Sequence, residues 1–422
     1  MLEDNSFAHL GVSPPLVDAL AARGVRHPFP IQVQTLPDTL AGRDVLGRGK
    51  TGSGKTLAFS IPLVSRLYPA DRRPGRPTGL VLAPTRELAT QIAATIEPLA
   101  KVRGLRVATI FGGVSQNRQA AALRAGIDIV VACPGRLDDL MKQRVVSLDA
   151  VQVTVIDEAD HMADLGFLPT VTRILAATPA KGQRMLFSAT LDAAVDTLVK
   201  RFLTDPVTRS VVEATSSVPE MTHHIFCVDG IDAKRELVHR LASGESRRIL
   251  FMRTKHQARK LARQLTQSGI ASVELHGNLS QPARDRNLAA FAAGHARVLV
   301  ATDIAARGVH VDDIELVVHV DPPAEHKAYL HRSGRTARAG ASGDVVTIVL
   351  PEQRRDTESM MRKAAIRAVP QRVSAASPAI HALVGPAGPR KAVAPVAAPS
   401  NRPPAARSRR RRSRRPATTT HR

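Results

Sequence analysis

The chain reads as an α/β protein built from two similar parallel-sheet domains, and three features of its 422 residues predict this. Short apolar runs recur between helix-like segments through most of the chain. Their apolar character is continuous rather than alternating, which suits strands covered on both faces. The runs also fall into two series, parted by a Ser-, Thr- and Val-rich stretch from Val211 to Pro219. Leu80 to Ala83, Val107 to Ile110, Ile127 to Ala132, Val153 to Ile156 and Met185 to Phe187 form the first series. The second comprises Ile225 to Val228, Ile249 to Phe251, Val273 to Leu275, Val298 to Ala301, Leu316 to Val320 and Val345 to Val349. Strand and helix signals alternating in this way point to α/β architecture. The expected organisation is a first domain over 1–208, a linker over 209–220, a second domain over 221–367 and a tail over 368–422.

The tail turns to Ala, Pro, Ser and Arg, too poor in large apolar residues to offset its ordering entropy, so disorder is expected there. From Gln371 to Arg422 it holds 12 of the 60 Lys and Arg and none of the 37 acids, about half of the net +23. Seven Arg surround two Ser between Arg407 and Arg415, an electrostatic tether for a polyanion. A merely solubilising tail is the plainer reading. Trp is absent and Tyr occurs twice, which disfavours base stacking and favours contacts to a sugar-phosphate backbone. No secretory leader and no run of 18 apolar residues is read, so no membrane is expected. Two cysteines, Cys133 and Cys227, are too few for a disulfide framework and fit a reducing cytoplasm.

Gly49 to Thr56 read G-K-T-G-S-G-K-T, between strand-like Val45-Leu46 and a helical segment from Leu57. Glycines there let backbone amides and a helix N-terminus close on phosphate oxygens. Lys50, Thr51, Gly52, Ser53 and Gly54 would form the cradle, Lys55 would reach the β- and γ-phosphates, and the Thr56 hydroxyl would hold Mg²⁺. Asp157 to Asp160 read D-E-A-D directly after the apolar run Val153 to Ile156, at a strand's carboxyl end where open α/β sheets place ligands. Asp157 is the candidate metal carboxylate, and Glu158 the residue to orient or deprotonate an attacking water. Without the rest of the pattern, a solvated acidic turn would account for Asp160 nearly as well.

With these motifs in view, the chain resembles a bacterial-type DEAD-box ATP-dependent RNA helicase over roughly residues 7 to 345. The resemblance implies two tandem RecA-like domains, with ATP and Mg²⁺ as cofactors and RNA as partner. Phe7 and Phe29-Pro30-Ile31-Gln32 resemble the adenine-reading Q motif, Gln32 meeting the base edge. Pro84-Thr85-Arg86-Glu87-Leu88-Ala89, Gly112-Gly113 and Cys133-Pro134-Gly135-Arg136 resemble the RNA-backbone motifs of the first domain. Ser188-Ala189-Thr190 resembles the motif that couples hydrolysis to strand separation, through bonds to the Asp160 turn. In the second domain, the segment from Ile249 to Lys255 (with Thr254), Leu275-His276-Gly277 and Gln281-x-x-Arg284 resemble further RNA contacts. The stretch from Ala301 to Gly308 resembles the segment touching both ligands, with Thr302 at RNA, Asp303 at nucleotide and Arg307 in coupling. His331 to Arg338 resembles the arginine-finger motif, with Arg335 and Arg338 at the γ-phosphate.

Four positions depart from the family pattern: Val25 in place of an aromatic, Cys133 in place of Thr, Ala337 in place of Gly, and His310 in place of Asp. The last removes a carboxylate for a ribose hydroxyl, unless Asp312 or Asp313 stands in, and predicts retuned nucleotide coupling. The expected activity is RNA-stimulated ATP hydrolysis with local duplex unwinding. Two rivals are a two-domain translocase on DNA and an RNA chaperone acting through its basic tail. Ribosome assembly, RNA decay and cold adaptation all stay open as settings, since the sequence names no RNA target.

Overall fold

In a computed structural model, the structure describes residues 6–49, 52–210, 221–306, 311, 313–337 and 342–385. The first lobe carries strands β1 (Val45–Arg48), β2 (Gly79–Leu82), β3 (Val107–Ile110), β4 (Ile129–Ala132), β5 (Val153–Ile156), β6 (Gln183–Ser188) and β7 (Val207–Ser210). The second carries β8 (Met221–Cys227), β9 (Arg247–Phe251), β10 (Ser272–Leu275), β11 (Val298–Ala301), β12 (Ile314–His319), β13 (Gly343–Val349) and β14 (Pro370–Arg372). Their orders across the two sheets are β3-β4-β2-β5-β6-β1-β7 and β10-β11-β9-β12-β13-β8-β14, the same order displaced by seven strands. All pairs are parallel. The likeness of the two halves, invisible as sequence repeat, is thus a shared topology.

Continuous apolar strands arise because each sheet is buried on both faces. In β2, Val81 points to one core, with Phe59, Ile92 and Phe187, while Leu80 and Leu82 point to the other, with Leu137, Ile156 and Ile174. In β9, Leu250 and the Ile249/Phe251 pair divide between two cores in the same manner. Helices joining parallel strands must cross over a face, so they supply those cores. The loops at the strands' carboxyl ends are left free for ligands.

Part of the expected disordered tail is folded. Pro370–Arg372 runs parallel to β8 as an edge strand, and the helix Pro378–Val384 buries Ile380 and Val384 in the core beside Leu237 and Leu241. Backbone pairing supplies the order at β14, where side chains offer little. The remaining tail, with the Arg407 to Arg415 run, lies outside the described residues, as does the Val211 to Pro219 linker. Among the described residues, no helix is long and apolar enough to cross a membrane.

Candidate functional site: a cleft between two lobes

The nucleotide side grows from the end of β1. Gly54 sits at φ 87° as the residue before the helix Lys55–Arg66, a left-handed conformation that glycine adopts without strain. A Cβ there would lie 2.6 Å from Gln32 Nε2 and 3.0 Å from Phe29 Cβ, so the loop can pack against the Q-motif segment only as glycine. Gln32 is fully buried and joins the two segments: its Oε1 accepts from Phe29 N at 2.9 Å, and its Nε2 donates to Gly54 O at 2.8 Å. Phe29 itself is 44% exposed at this lip. Phe7, expected at the base, instead lies in the hydrophobic core with Leu16 and Leu20, so it supports the wall rather than facing a ligand. Val25 packs half-buried against the same core.

Lys55 is buried and donates from Nζ to Gly49 O at 2.5 Å, while Ser53 Oγ is buried with no hydrogen-bond partner among the described residues. Gly52 and Thr56 flank them; Lys50 and Thr51 lie outside the described residues. Asp157 stands at the end of β5, 3% exposed, and its Oδ1 accepts from Glu158 N at 3.0 Å. Burial pushes its carboxyl up to about 7, against the pull of the nearby Lys55 charge. A buried carboxylate within reach of the Lys55 charge, with the Thr56 hydroxyl in the next position along the chain, is a donor set that a phosphate-bound Mg²⁺ would fit. Among the described residues no three His, Cys, Asp or Glu side chains cluster to hold a metal alone.

Glu158 has φ 50°, a strained turn that lets the chain leave β5 and start the helix Ala159–Asp164. Burial would raise its pKa. The hydrogen bond from His161 Nδ1 at 2.9 Å, with the charges of His161, Arg335 and Lys55, outweighs that and brings it down to about 2. Such a group stays ionised and is a weak proton acceptor, better suited to orienting a water than to deprotonating it. His161 was not singled out from sequence, although its i+3 spacing from Glu158 on a helical turn was a usable signal.

Arg335 brings the second lobe to this point. It is 6% exposed, donates from Nε to His331 O at 3.2 Å, and its charge acts on Glu158 across the cleft. The His161 and His331 rings lie 6.0 Å apart across the same seam. Burial, then the His161 charge, lowers the His331 pKa. Lys327, one turn earlier on the helix His326–Ser333, pairs with Asp192 of the first lobe at 2.7 Å. Asp160 accepts from both Thr190 N and Thr190 Oγ1 at 2.9 Å, and its own N–H donates to Ser188 Oγ at 3.3 Å. The D-E-A-D turn and the Ser188-Ala189-Thr190 strand end are therefore one hydrogen-bonded unit.

Asp303, expected at the nucleotide, is ion-paired with Arg332, whose guanidinium also donates to Asp321 O at 2.8 Å. Ala337 lies at φ 53°, so an alanine in place of glycine there carries a backbone strain of about 1 kcal/mol. Arg307, His310, Asp312 and Arg338 lie outside the described residues.

On the opposite side of the cleft, Thr85 caps the helix Arg86–Val102, its Oγ1 accepting from Leu88 N at 3.3 Å, directly after Pro84. Arg86 covers Gly113 so closely that any side chain there would collide with its guanidinium, and its Nη1 donates to Gln281 of the second lobe at 3.2 Å. Pro134 opens the helix Pro134–Lys142, Gly135 faces open space, and Arg136 donates to Val114 O at 3.4 Å. In the second lobe, Thr254 caps the helix Lys255–Gln267, Gly277 is open, and Thr302 follows β11. His276 is buried with Nε2 3.0 Å from Glu274 Oε2.

Arg284 departs from its expected place at RNA. Its Nε donates to Glu87 at 2.7 Å across the cleft, and its other nitrogens donate to His276 O at 3.4 Å and Ala305 O at 3.1 Å. With its donors engaged and only 8% of its surface open, Arg284 is a bolt between lobes. Nothing in the local sequence announced Glu87 as its partner. Beside it, burial and then the Glu87 charge push the Cys133 thiol up to about 12.

Comparison with known proteins identifies the family and the fold. The DEAD/DEAH box helicase family model matches residues 29–198, and the helicase conserved C-terminal domain model matches residues 232–340. The ATP-dependent RNA helicase RhlB of Pseudomonas syringae pv. tomato is 40% identical over 346 residues, 80% of this chain and 87% of that protein. DEAD-box ATP-dependent RNA helicase 9, mitochondrial, of Arabidopsis thaliana is 38% identical over 86% of this chain, which spans 60% of that longer protein. Among solved structures, S. cerevisiae Dbp5 bound to RNA and ADP BeF3 superposes with a TM-score of 0.75 at 28% identity, covering 87% of this chain and 96% of that one. Two family models that together span both lobes, and relatives about 40% identical over some four-fifths of the chain, make the assignment: the chain belongs to the DEAD-box family of ATP-dependent RNA helicases.

Proposed function

We propose that this chain hydrolyses ATP in the cleft between its lobes and uses closure of that cleft to pull short RNA duplexes apart. The observation that carries the reading is that His331, at the start of the segment bearing Arg335, lies ring to ring at 6.0 Å with His161 of the other lobe, the hydrogen-bond partner of Glu158. The hydrolytic centre is therefore complete only when the lobes meet. Gln32 and the loop from Lys50 to Gly54 would hold the nucleotide, Lys55 would bind its β- and γ-phosphates, and Arg335 with Arg338 would stabilise charge developing on the γ-phosphoryl group. Thr56 and Asp157 would hold Mg²⁺, which when bound neutralises phosphate charge. Glu158, kept ionised by His161, would orient the attacking water. Asp160, Ser188, Thr190 and Arg307 would transmit the state of the nucleotide to the lobe interface.

Pro84, Thr85, Arg86, Gly113, Pro134, Gly135 and Arg136 on one lobe, with Thr254, His276, Gly277 and Thr302 on the other, would line the RNA path. Glu87 and Arg284 hold its two banks together. A strand gripped by both lobes has to follow their joint shape, which a regular duplex cannot. ATP and RNA each favour the closed state, so each should tighten the other. RNA over DNA would rest on 2′-hydroxyl contacts. A cytoplasmic setting, and partners in ribosome assembly or RNA decay, are the working context.

The test is steady-state ATP turnover and strand separation with RNA and with DNA of the same sequence. RNA should raise turnover well above the rate without nucleic acid, and DNA should do so far less. Turnover indifferent to RNA would remove the proposal. Strand annealing that survives Lys55→Ala but not removal of residues 386–422 would favour the chaperone reading.

A further inference from the structure

We propose that the exposed face of the helix Lys255–Gln267 in the second lobe is a second RNA-backbone subsite that holds the strand where it continues beyond the cleft. This inference rests on the proposed RNA path and extends it. The helix divides cleanly. Ala258, Ala262 and Leu265 are buried against the sheet, and Lys255, His256, Arg259, Lys260 and Arg263 are exposed. At 100° per residue the five basic groups occupy an arc of about 140°, which starts beside the buried Ala262 and runs round to the solvent side of the helix.

The surrounding sequence reinforces the charge. From Ser246 to Val273 the chain has seven Lys or Arg and no Asp or Glu. Other surface helices pair cations with their own acids: Lys142 with Asp138, Lys200 with Asp196, Arg235 with Asp232, and Arg354 with Glu358. Neutralisation of that kind is what a plainly solvated face looks like. The helix Lys255–Gln267 carries no acid at all.

Position selects the occupant. The helix begins at Thr254, in the expected RNA path, and Lys255 Nζ donates to Asn278 at 3.0 Å, tying its first turn to the His276-Gly277 loop. From there Lys255, Arg259 and Arg263 repeat every four residues, a step of about 6 Å along the axis. That ladder suits successive phosphates of a strand leaving the cleft. The ridge has no Phe, Tyr or Trp, so it offers no stacking platform and would read no sequence. Its ligand class is the phosphodiester backbone of RNA, bound through counterion release.

The experiment uses the full chain, so that the basic tail contributes equally to both proteins, and compares wild type with the triple variant R259A/K260A/R263A. Affinity is measured by fluorescence anisotropy with a non-hydrolysable ATP analogue, on an RNA just long enough to fill the cleft and on a longer one, across a salt series. Circular dichroism confirms folding, and Lys260→Arg serves as the charge-conserving control. The longer RNA should bind the variant roughly tenfold more weakly, with a salt slope flatter by about 2 for three lost contacts to a single strand. The short RNA should bind, and stimulate turnover, as for wild type.

Unchanged affinity and slope on the longer RNA would overturn the inference and leave a solvated face. So would an equal loss on both RNAs, which would mean the ridge acts through closure. Loss of polyglutamate binding with RNA binding intact would assign the ridge to an acidic protein and overturn it too. If wild type shows no RNA-stimulated turnover at all, the proposed function fails first. If it does and the ridge variant matches it, only the subsite fails.

Discussion

In the first lobe the helix after β1 opens with Lys55, and the fourth strand across the sheet, β5, delivers Asp157. In the second lobe the helix after β8, Ile231–Ala242, carries Lys234, and the fourth strand across, β12, leads to Asp321. The same frame thus presents a lysine and an aspartate at corresponding places twice. The outcome differs. Lys234 Nζ lies 2.8 Å from Asp321 Oδ1, and Asp321 Oδ2 also accepts from Arg253 N at 3.1 Å, so the second pair is satisfied within the lobe. Lys55 instead bonds a loop carbonyl, and Asp157 is left buried with its carboxyl pushed up to about 7. Between β1 and Lys55 the chain inserts a glycine-rich turn, whereas β8 passes through Val228-Asp229-Gly230 directly into its helix. A ligand site is made here by withholding an internal partner from charged groups, and a structural lobe by granting one.

Exchanging the fates of the two lysines is the strongest way to break this comparison. Lys55→Ala should lower kcat/KM for RNA-stimulated ATP hydrolysis by about a thousandfold or more, the scale of a lost charge at a phosphoryl-transfer centre (~4 kcal/mol). Thermal unfolding should hardly move. Lys234→Ala should do the opposite, because it strands the Asp321 carboxylate in a site where both partners are under a tenth exposed. Removing one member of a buried ion pair costs about 3–5 kcal/mol, read as a clear fall in denaturant midpoint. If Lys234→Ala unfolds like wild type while losing ATP turnover, the two pairs do not have the separate roles assigned to them.

A smaller effect is expected where the lobes meet. Lys327 and Asp192 are both partly open to solvent, so their ion pair should contribute about 0.5–1 kcal/mol to closure. Asp192 also caps the helix Ala193–Phe202 by accepting from Ala194 N and Val195 N, so Asp192→Asn is the variant that spares the cap. Lys327→Ala and Asp192→Asn should each raise the apparent KM for RNA about two- to fivefold. The double variant should be no worse than either single one. Additive losses in that double-mutant cycle would show that the two residues act independently.

How far the sequence discloses this design depends on what each feature is made of. Strands such as β2 and β5 are legible because burial on both faces forces unbroken apolar runs. The edge strands β7 and β14, Val207–Ser210 and Pro370–Arg372, are not, because each is held through backbone bonds to one neighbour, β1 or β8. Disorder from residue 368 is for this reason a misreading: two apolar residues, Ile380 and Val384, suffice to seat the following helix. The phosphate cradle and D-E-A-D turn are legible since their chemistry is compressed into a few adjacent residues. Glu87–Arg284 and Lys327–Asp192 join positions far apart in the chain, and pairing of that kind leaves no local trace. Phe7 and Asp303 belong to motif-bearing segments, yet their side chains turn to the core and to Arg332.

The two cysteines, one per lobe, sharpen the comparison with the smallest effect. Cys133 lies at the head of the helix Pro134–Lys142, beside the Glu87–Arg284 bolt, with its thiol pushed up to about 12 by burial and then by the Glu87 charge. Cys227 ends β8 and is raised too, again chiefly by burial. A raised thiol pKa lowers the thiolate fraction at any given pH, and only the thiolate is alkylated. Iodoacetamide labelling followed by mass spectrometry between pH 7 and about 9 should therefore modify Cys227 first. Cys133 should stay nearly unreactive across that window, since its titration lies well above it. Denaturant should equalise the two, because unfolding returns both thiols to water. Rapid labelling of Cys133 in the native protein would mean that the Glu87–Arg284 edge opens frequently. The cleft's resting state would then be set by motion of the lobes and not by the bolt.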